Sequence, residues 1–230
     1  ITVTPSANGC TGTPSSFIIT INPTASVNIP ANSVICNGAL SNSIAFTGVF
    51  ATISWTNNHP EIGLAASGTG NIPAFTGINL TTAPVIATIT VTPYYSLSGS
   101  GCNGSPVTFT ITVNPTPVVN AISNETVCSG ANHTGFSFVT SASGGIPTFT
   151  WTSSSNIGFG ISGNGTIPAF AASNGSSTPV TANIGVSATI NGCTGGVTNF
   201  LVTVNPVSTV VQPADQVVCN TGVTSAVNFT

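Results

Sequence analysis

The feature that most constrains this chain is an internal repeat of about ninety residues. Asn-Pro pairs begin at Asn22, Asn114 and Asn205, which lie 92 and 91 positions apart. Before each pair, apolar residues alternate with residues that are mostly Thr. The three runs are Phe17, Ile19 and Ile21; Phe109, Ile111 and Val113; and Phe200, Val202 and Val204. Alternation of this kind is typical of a strand with one buried face, so the sequence predicts a series of matched β units.

Other matched positions divide the chain into repeats. Trp55 and Trp151 lie in similar apolar runs, and Gly-Asn-Ile-Pro-Ala-Phe at 70–75 recurs as Gly-Thr-Ile-Pro-Ala-Phe at 165–170. We therefore expect two whole repeats, one at 24–115 and one at 116–206. Residues 1–23 are predicted to be the C-terminal part of a preceding repeat, and residues 207–230 the N-terminal part of a following one.

Strand length and turn spacing predict the fold class. Each repeat holds about seven strand candidates in roughly ninety residues, with turn residues every 8–12 positions, which is typical of an immunoglobulin-like β-sandwich. No segment has helical periodicity, so we predict tandem all-β sandwich domains without significant helix. The predicted core residues are Trp55, Trp151, Phe109, Ile111, Val113, Phe200, Val202 and Val204.

The charge of the chain excludes several function classes. It contains no Lys or Arg, three acidic residues and two His, for a net charge of −3. Nucleic-acid binding requires cations that neutralise phosphates, so no nucleic-acid partner is expected. Arginine clamps and catalytic lysines are excluded for the same reason. No apolar run is long enough to span a bilayer, and no signal peptide is visible at the N-terminus.

Six cysteines occur at two repeated positions. Cys10, Cys102 and Cys193 lie in Gly-rich turns, and Cys36, Cys128 and Cys219 follow each of them by 26 residues. The spacing does not match zinc sites, which indicates disulfides and an oxidising compartment.

Two disulfide pairings are compatible with the spacing. We expect bonds within repeats, Cys36–Cys102 and Cys128–Cys193, with Cys10 and Cys219 pairing with adjacent repeats. The alternative uses the 26-residue step and joins neighbouring repeats through Cys10–Cys36, Cys102–Cys128 and Cys193–Cys219. Connectivity cannot be deduced from sequence alone, so both remain open here.

The few ionisable groups predict no catalytic, cofactor or metal site. His59 and Glu61 are the only close pair, and no nearby Asp or Cys completes a site. His133 stands apart from other ionisable residues in the sequence, with Glu125 eight positions before it. Calcium needs six to eight oxygen ligands, with several carboxylates, and three dispersed acids do not supply them. We therefore predict that the chain is not an enzyme.

Two features are compatible with glycans. Seven Asn-x-Ser/Thr sequons occur, at Asn79, Asn103, Asn124, Asn132, Asn164, Asn174 and Asn228. The Asn, Ser and Thr content predicts about that number by chance, so the sequons carry no information beyond the composition. Tyr94 and Tyr95, in a longer loop before Cys102, are candidates for stacking on sugars.

The order of these motifs resembles the PKD-like repeats of large surface proteins of the Bacteroidota. The resemblance rests on Glu125 to Gly130, the strand ending at Trp151, Gly192 to Gly195, and the closing Asn205-Pro206. It implies tandem stalks, secretion to the cell surface and adhesive or scaffolding roles. The chain departs from the better-known PKD pattern, in which an acidic turn follows the tryptophan; here Thr152 follows Trp151.

The scarcity of charge also predicts assembly. Edge strands are normally protected by charged residues, above all by Lys, and this chain has no Lys. We expect self-association into a homopolymeric filament, so the predicted function is an extracellular structural element of a fibre, stalk or filament at the bacterial surface. The alternative is an adhesin that recognises glycans or a protein partner through its loops.

Overall fold

A computed structural model describes residues 1–97 and 101–228. The structure divides into two compact units, Ile1–Thr116 and Pro117–Thr230. The repeat bounds 24–115 and 116–206 stay a prediction. The last two residues of the predicted segment 207–230 lie outside the described residues.

The strands of the first unit are β1 (Thr2–Val3), β2 (Ser6–Ala7), β3 (Cys10–Thr11), β4 (Ser15–Ser16), β5 (Ser26–Val27), β6 (Ser33–Cys36), β7 (Gly48–Val49), β8 (Thr52–Asn57), β9 (Ser67–Thr69), β10 (Val85–Ser96), β11 (Gly101–Asn103) and β12 (Val107–Asn114). A 3-10 turn spans Pro60–Ile62. The strands of the second unit are β13 (Glu125–Cys128), β14 (Asn132–His133), β15 (Thr148–Ser153), β16 (Ser162–Asn164), β17 (Phe170–Ala171), β18 (Val180–Ile190), β19 (Cys193–Thr194) and β20 (Thr198–Asn205).

The main sheet has the same topology in both units. Its strand order is β6-β12-β10-β8-β9 in the first unit and β13-β20-β18-β15-β16 in the second. A short hairpin strand, β11 or β19, also pairs with the long central strand. The first strand of each order runs parallel to its neighbour, while the other pairs are antiparallel.

A layer of short pairings covers the inner face of each main sheet. In the first unit it contains β5 paired with β7 and the bridges Leu40–Thr76 and Ile44–Ile72. In the second unit it contains β14 paired with β17 and the bridge Phe136–Ile167. The predicted fold class is therefore confirmed: each unit is an all-β, immunoglobulin-like sandwich, and the described residues contain no α-helix.

One apolar core lies inside each sandwich. All eight residues expected in the core are buried: Trp55, Phe109, Ile111 and Val113 in the first cluster, and Trp151, Phe200, Val202 and Val204 in the second. Burial alternates along the central strands because successive side chains of a strand point to opposite faces.

A glycine lies under each core tryptophan. Gly68 in β9 faces Trp55 across the ladder, and Gly163 in β16 faces Trp151. A Cβ at Gly68 would lie 2.2 Å from the Trp55 ring, and one at Gly163 would lie 2.5 Å from the Trp151 ring. The indole therefore needs a residue without a side chain beside it, and this requirement is the same in both repeats.

The run Phe17, Ile19 and Ile21 does not form the half-buried strand that its alternation predicts. The three side chains are 52%, 61% and 88% exposed, and residues 17–25 belong to no strand. The β structure of this segment consists instead of the short pairs β1–β4 and β2–β3. Among the described residues, no long strand lies beside this run, so its apolar face has no surface on which to pack.

Candidate functional site

The outer face of the main sheet in the first unit carries an array of hydroxyl side chains. Thr88, Thr90 and Thr92 lie along β10 on the face opposite the core. Their cross-strand neighbours are Thr110, Thr108, Thr56 and Ser54, and the array continues to Ser67 and Thr69 of β9. Adjacent strands are about 4.8 Å apart and every second residue about 6.7 Å apart, so the hydroxyls form a regular lattice.

The hydroxyls at the centre of this array are available for outside partners. Thr56, Thr90 and Thr108 make no side-chain hydrogen bond with any group in the part of the chain that the structure describes. Thr side chains carry both a methyl group and a hydroxyl, so this face is uncharged, partly apolar and able to donate and accept hydrogen bonds.

The corresponding face of the second unit is also rich in hydroxyls, but more of them are hydrogen-bonded to each other. Thr150 and Ser187 are hydrogen-bonded at 2.8 Å, and Thr181 and Thr203 at 2.9 Å. Leu201, which is 41% exposed, and Gly185 interrupt the regular pattern on this face. The two repeats therefore share an uncharged outer face. That of the first unit has the longer unbroken array of hydroxyls, which ends at Ile86, a residue 55% exposed near the start of β10.

The two ionisable residues that lie close together in the sequence, His59 and Glu61, are in contact. His59 Nδ1 lies 2.6 Å from Glu61 Oε1, in the loop that follows β8, and both side chains are largely exposed. The hydrogen bond from His59, with a smaller contribution from the backbone N–H of Glu61, lowers the pKa of the Glu61 carboxyl. Asn57 closes the loop by accepting from the His59 N–H and donating to the Leu64 carbonyl.

The second histidine also meets a carboxylate, which the sequence reasoning missed. His133 Nε2 lies 2.7 Å from Glu125 Oε2, and its Nδ1 accepts the Gly135 N–H at 2.9 Å. The imidazole stacks on Phe136 and lies against Phe170. The side chain is only 13% exposed, so this histidine joins β14 to the edge strand β13 and packs against the core.

These pairs do not extend into a metal site. No group of three or more His, Cys, Asp or Glu that could hold a metal ion occurs among residues 1–97 and 101–228. In the same ranges, no helix has the length and apolar character that crossing a membrane requires.

The cysteines depart from the expected pairing. Cys36 and Cys193 are disulfide-bonded, whereas Cys10, Cys102, Cys128 and Cys219 are exposed free thiols. Neither expected bond, Cys36–Cys102 or Cys128–Cys193, is formed in the structure. The bonds of the 26-residue alternative are not formed either, because each would use one of the free thiols.

Sheet geometry explains why the pairing within repeats is wrong. Cys36 lies beside Asn114 at one end of the first main sheet, and Cys102 lies beside Tyr95 at the other end. The ten residue steps along β10 from Val85 to Tyr95 separate these ends by about 33 Å. A disulfide needs Cα atoms less than about 7 Å apart. The same separation along β18 keeps Cys128, beside Asn205, away from Cys193, beside Ile190.

Two sequons prove to be structural clamps. Asn79 Nδ2 donates to the carbonyls of Ala83 and Val113, and its Oδ1 accepts from Thr81. Asn174 makes the matching bonds to Thr178, Val204 and Ser176. Asn79 is only 4% exposed. Each clamp ties a loop to the end of the closing strand, β12 or β20.

The signal for these clamps was present in the sequence. Asn79 and Asn174 each follow the recurring Ile-Pro-Ala-Phe motif by four positions. The same distance from this motif in both repeats indicates a shared structural role for Asn79 and Asn174, which the total of seven sequons does not.

A third sequon is also structural. Asn124 Oδ1 accepts the backbone N–H of Leu201, and Asn32 accepts that of Thr110 in the matching place. Both side chains extend the parallel pairing beyond the start of the edge strand.

The tyrosine pair lies at the end of β10 next to the hairpin strand β11. The ring of Tyr94 covers Gly101, where an added Cβ would lie 2.4 Å from the ring. Tyr94 therefore packs over its own hairpin, and the glycan role of Tyr94 and Tyr95 stays a prediction.

Comparison with known proteins gives similarity in structure alone. No protein-family model matches the sequence, and no curated protein matches it. A structure of mouse cadherin-23 EC22-24 is 11% identical with a TM-score of 0.42, covering 82% of this chain and 67% of that one. Human mucin-like protocadherin EC1-2 is 14% identical with a TM-score of 0.38, covering 80% and 98%. Drosophila N-cadherin EC1-4 is 11% identical with a TM-score of 0.37, covering 77% and 48%. At these values the likeness carries no argument about ligands or partners.

Proposed function

We propose that the chain is a passive structural segment of an extracellular PKD-like repeat protein, which assembles through its uncharged faces into a fibre or stalk at a bacterial surface. The observation that carries the proposal is the hydroxyl face of the main sheet, present in both units and unbroken over a longer array in the first. The chain has no lysine or arginine with which to keep such faces apart.

Physical chemistry favours association of these faces. Burying a charged group costs several kcal/mol unless it is paired, whereas Thr side chains lose little on burial when their hydroxyls find partners. A net charge of −3 over 230 residues gives weak repulsion between copies. Two hydroxyl faces therefore meet without the electrostatic barrier that most soluble domains present.

The disulfide-bonded cysteines support the extracellular part of the proposal. Disulfides persist in oxidising environments and are rare in the cytosol. Matched repeats, each with its own core, are the architecture from which long extended proteins are built.

Lysine substitution on the hydroxyl face tests the assembly. The double variant Thr90→Lys/Thr110→Lys places two cations at the centre of the face of the first unit. We expect the parent chain to form fibres in negative-stain electron microscopy and to pellet on ultracentrifugation. The double variant should pellet several-fold less, because association would then bury unpaired charge.

The matched controls are Ala65→Lys and Ala66→Lys combined, which add the same charge on an exposed loop. This control should pellet like the parent. Circular dichroism should show the same β content in all three proteins. A parent chain that stays monomeric in low-salt buffer, or a face variant that assembles as well as the loop control, would contradict the proposal.

A further inference from the structure

The six cysteines fall into two structural classes. Cys36 and Cys128 end the edge strands β6 and β13, and Cys219 matches them in sequence; we call these the edge cysteines. Cys10, Cys102 and Cys193 lie in short hairpin strands, and we call these the turn cysteines. In each complete repeat the two classes lie at opposite ends of the main sheet, about 33 Å apart.

This separation determines what a disulfide in this protein can join. The Cα atoms of bonded cysteines lie within about 7 Å of each other. An edge cysteine therefore cannot bond the turn cysteine of its own repeat without unfolding the sheet between them. Every disulfide between the two classes has to join different repeats.

The bonded cysteines show that both positions are suited to disulfide formation. Cys36 is an edge cysteine and Cys193 is a turn cysteine, and both are disulfide-bonded. The cysteines at the matching positions of the other complete repeat, Cys128 and Cys102, are exposed free thiols. The same local structure thus presents a bonded cysteine in one repeat and an accessible thiol in the other.

We propose that Cys102 and Cys128 are cross-linking sites, at which the turn cysteine of one copy forms a disulfide with the edge cysteine of a second copy. The inference rests on the assembly proposed above and names the covalent bond that would secure it. Each copy carries both residues, Cys102 of the turn class and Cys128 of the edge class, so head-to-tail pairing leaves a free Cys102 at one end and a free Cys128 at the other, and the chain of copies can continue.

The chemistry needs a disulfide oxidant, for which oxidised glutathione serves. The Cys102 thiolate attacks one sulfur of oxidised glutathione, giving a mixed disulfide and one glutathione thiolate. The Cys128 thiolate of the second copy then attacks the Cys102 sulfur and releases the second glutathione. Two protein thiols are oxidised, one disulfide is reduced, and the two protons lost by the cysteines are taken up by the glutathione thiolates.

The test uses the full chain with Cys10→Ser and Cys219→Ser, so that the free thiols of the complete repeats alone remain. With oxidised glutathione, non-reducing electrophoresis should show a ladder of covalent oligomers. Two further variants in that background each keep one thiol, one carrying Cys128→Ser and the other Cys102→Ser. On the same non-reducing gel, each variant alone should run as a monomer. An equimolar mixture of the two should give a covalent dimer and no larger oligomer.

Mass spectrometry identifies the bond. The chain has no trypsin sites, so the dimer is cleaved after aromatic residues. With one variant labelled with nitrogen-15, the cross-linked peptide should join Cys102 of one isotope to Cys128 of the other. Dimers formed by either variant alone, a Cys102–Cys128 bond within one copy, or monomers in every sample would each overturn the inference.

Failure of this inference and failure of the proposed function give different results. Pelleting of the lysine variants measures assembly through the outer faces, and it is repeated with Cys10, Cys102, Cys128 and Cys219 all replaced by Ser. Assembly of that serine variant without a ladder in the cysteine-containing chain would overturn the cross-link alone. A ladder without fibres would overturn the fibre alone.

Discussion

The same alternating run is buried in one region of this molecule and exposed in another. Phe109, Ile111 and Val113 lie in β12, which pairs with β6 and β10, and they are buried in the core with at most 3% of each residue exposed. Phe17, Ile19 and Ile21 have the same spacing before the same Asn-Pro, yet each is at least 52% exposed. The pattern states which side of a strand is apolar, and only neighbouring strands can bury that side.

The largest expected effect is on stability, and it tests this comparison directly. Phe109→Ala should destabilise the first unit by about 3–5 kcal/mol, because it leaves a cavity in the core. Phe17→Ala, its counterpart in sequence, should change stability by less than about 0.5 kcal/mol, because the ring is exposed.

Urea unfolding followed by tryptophan fluorescence measures both effects. In a Trp151→Phe background, Trp55 alone reports on the first unit. Similar losses from the two alanine variants would show that Phe17 is packed in solution, and the contrast between the two regions would then be wrong.

An intermediate effect is expected at the clamp on the closing strand. Asn79→Ala removes the side-chain donor to the Val113 carbonyl at the end of the buried run, as well as the one to Ala83. Leaving such carbonyls without partners costs about 1–3 kcal/mol. Asn164→Ala is the matched control, since Asn164 is also the first residue of a sequon but is exposed in β16.

The same urea titration, with Trp55 or Trp151 as the reporter, compares the two variants. We expect Asn164→Ala to stay within about 0.5 kcal/mol of its parent. An equal loss at both positions would mean that the loop clamp contributes nothing beyond the general cost of replacing Asn.

The smallest effect is expected at the contact between His59 and Glu61. This pair lies inside a complete repeat but is exposed, so it tests whether burial, and not position within a repeat, decides how much a contact stabilises the fold. The Glu61 pKa is lowered by the hydrogen bond from His59. A lowered folded-state pKa means that the stabilising contribution is present above the unfolded-state pKa and is lost as the pH falls through the folded-state pKa. Because the pair is largely exposed, solvent screening makes this contribution small.

Nuclear magnetic resonance titration of the Glu61 carboxyl measures the effect. His59→Ala should raise the Glu61 pKa toward its ordinary value. A Glu61 titration that is unchanged by His59→Ala would show that the hydrogen bond is not populated in solution.

The sequence predicted most of the fold because the relevant signals are local. Alternation in 109–113 and 200–204 identified the inward face of the closing strands, and the recurring motifs indicated two repeats. Trp55 and Trp151 were assigned to the core from their matching strands, and both are buried. Local signals were less informative for Asn79 and Asn174, whose partners Val113 and Val204 lie 34 and 30 residues away.

By itself, the sequence of this protein determined the closing strands at 109–113 and 200–204, the apolar face of each and how little charge the surface carries. Each of these properties follows from residue type and spacing along the chain. Only the tertiary structure decided that Phe17 stays exposed, that His133 meets Glu125, and that Cys36 and Cys102 lie at opposite ends of one sheet. The reason is that strand pairing, and not spacing along the chain, sets the distance between side chains that are far apart in sequence.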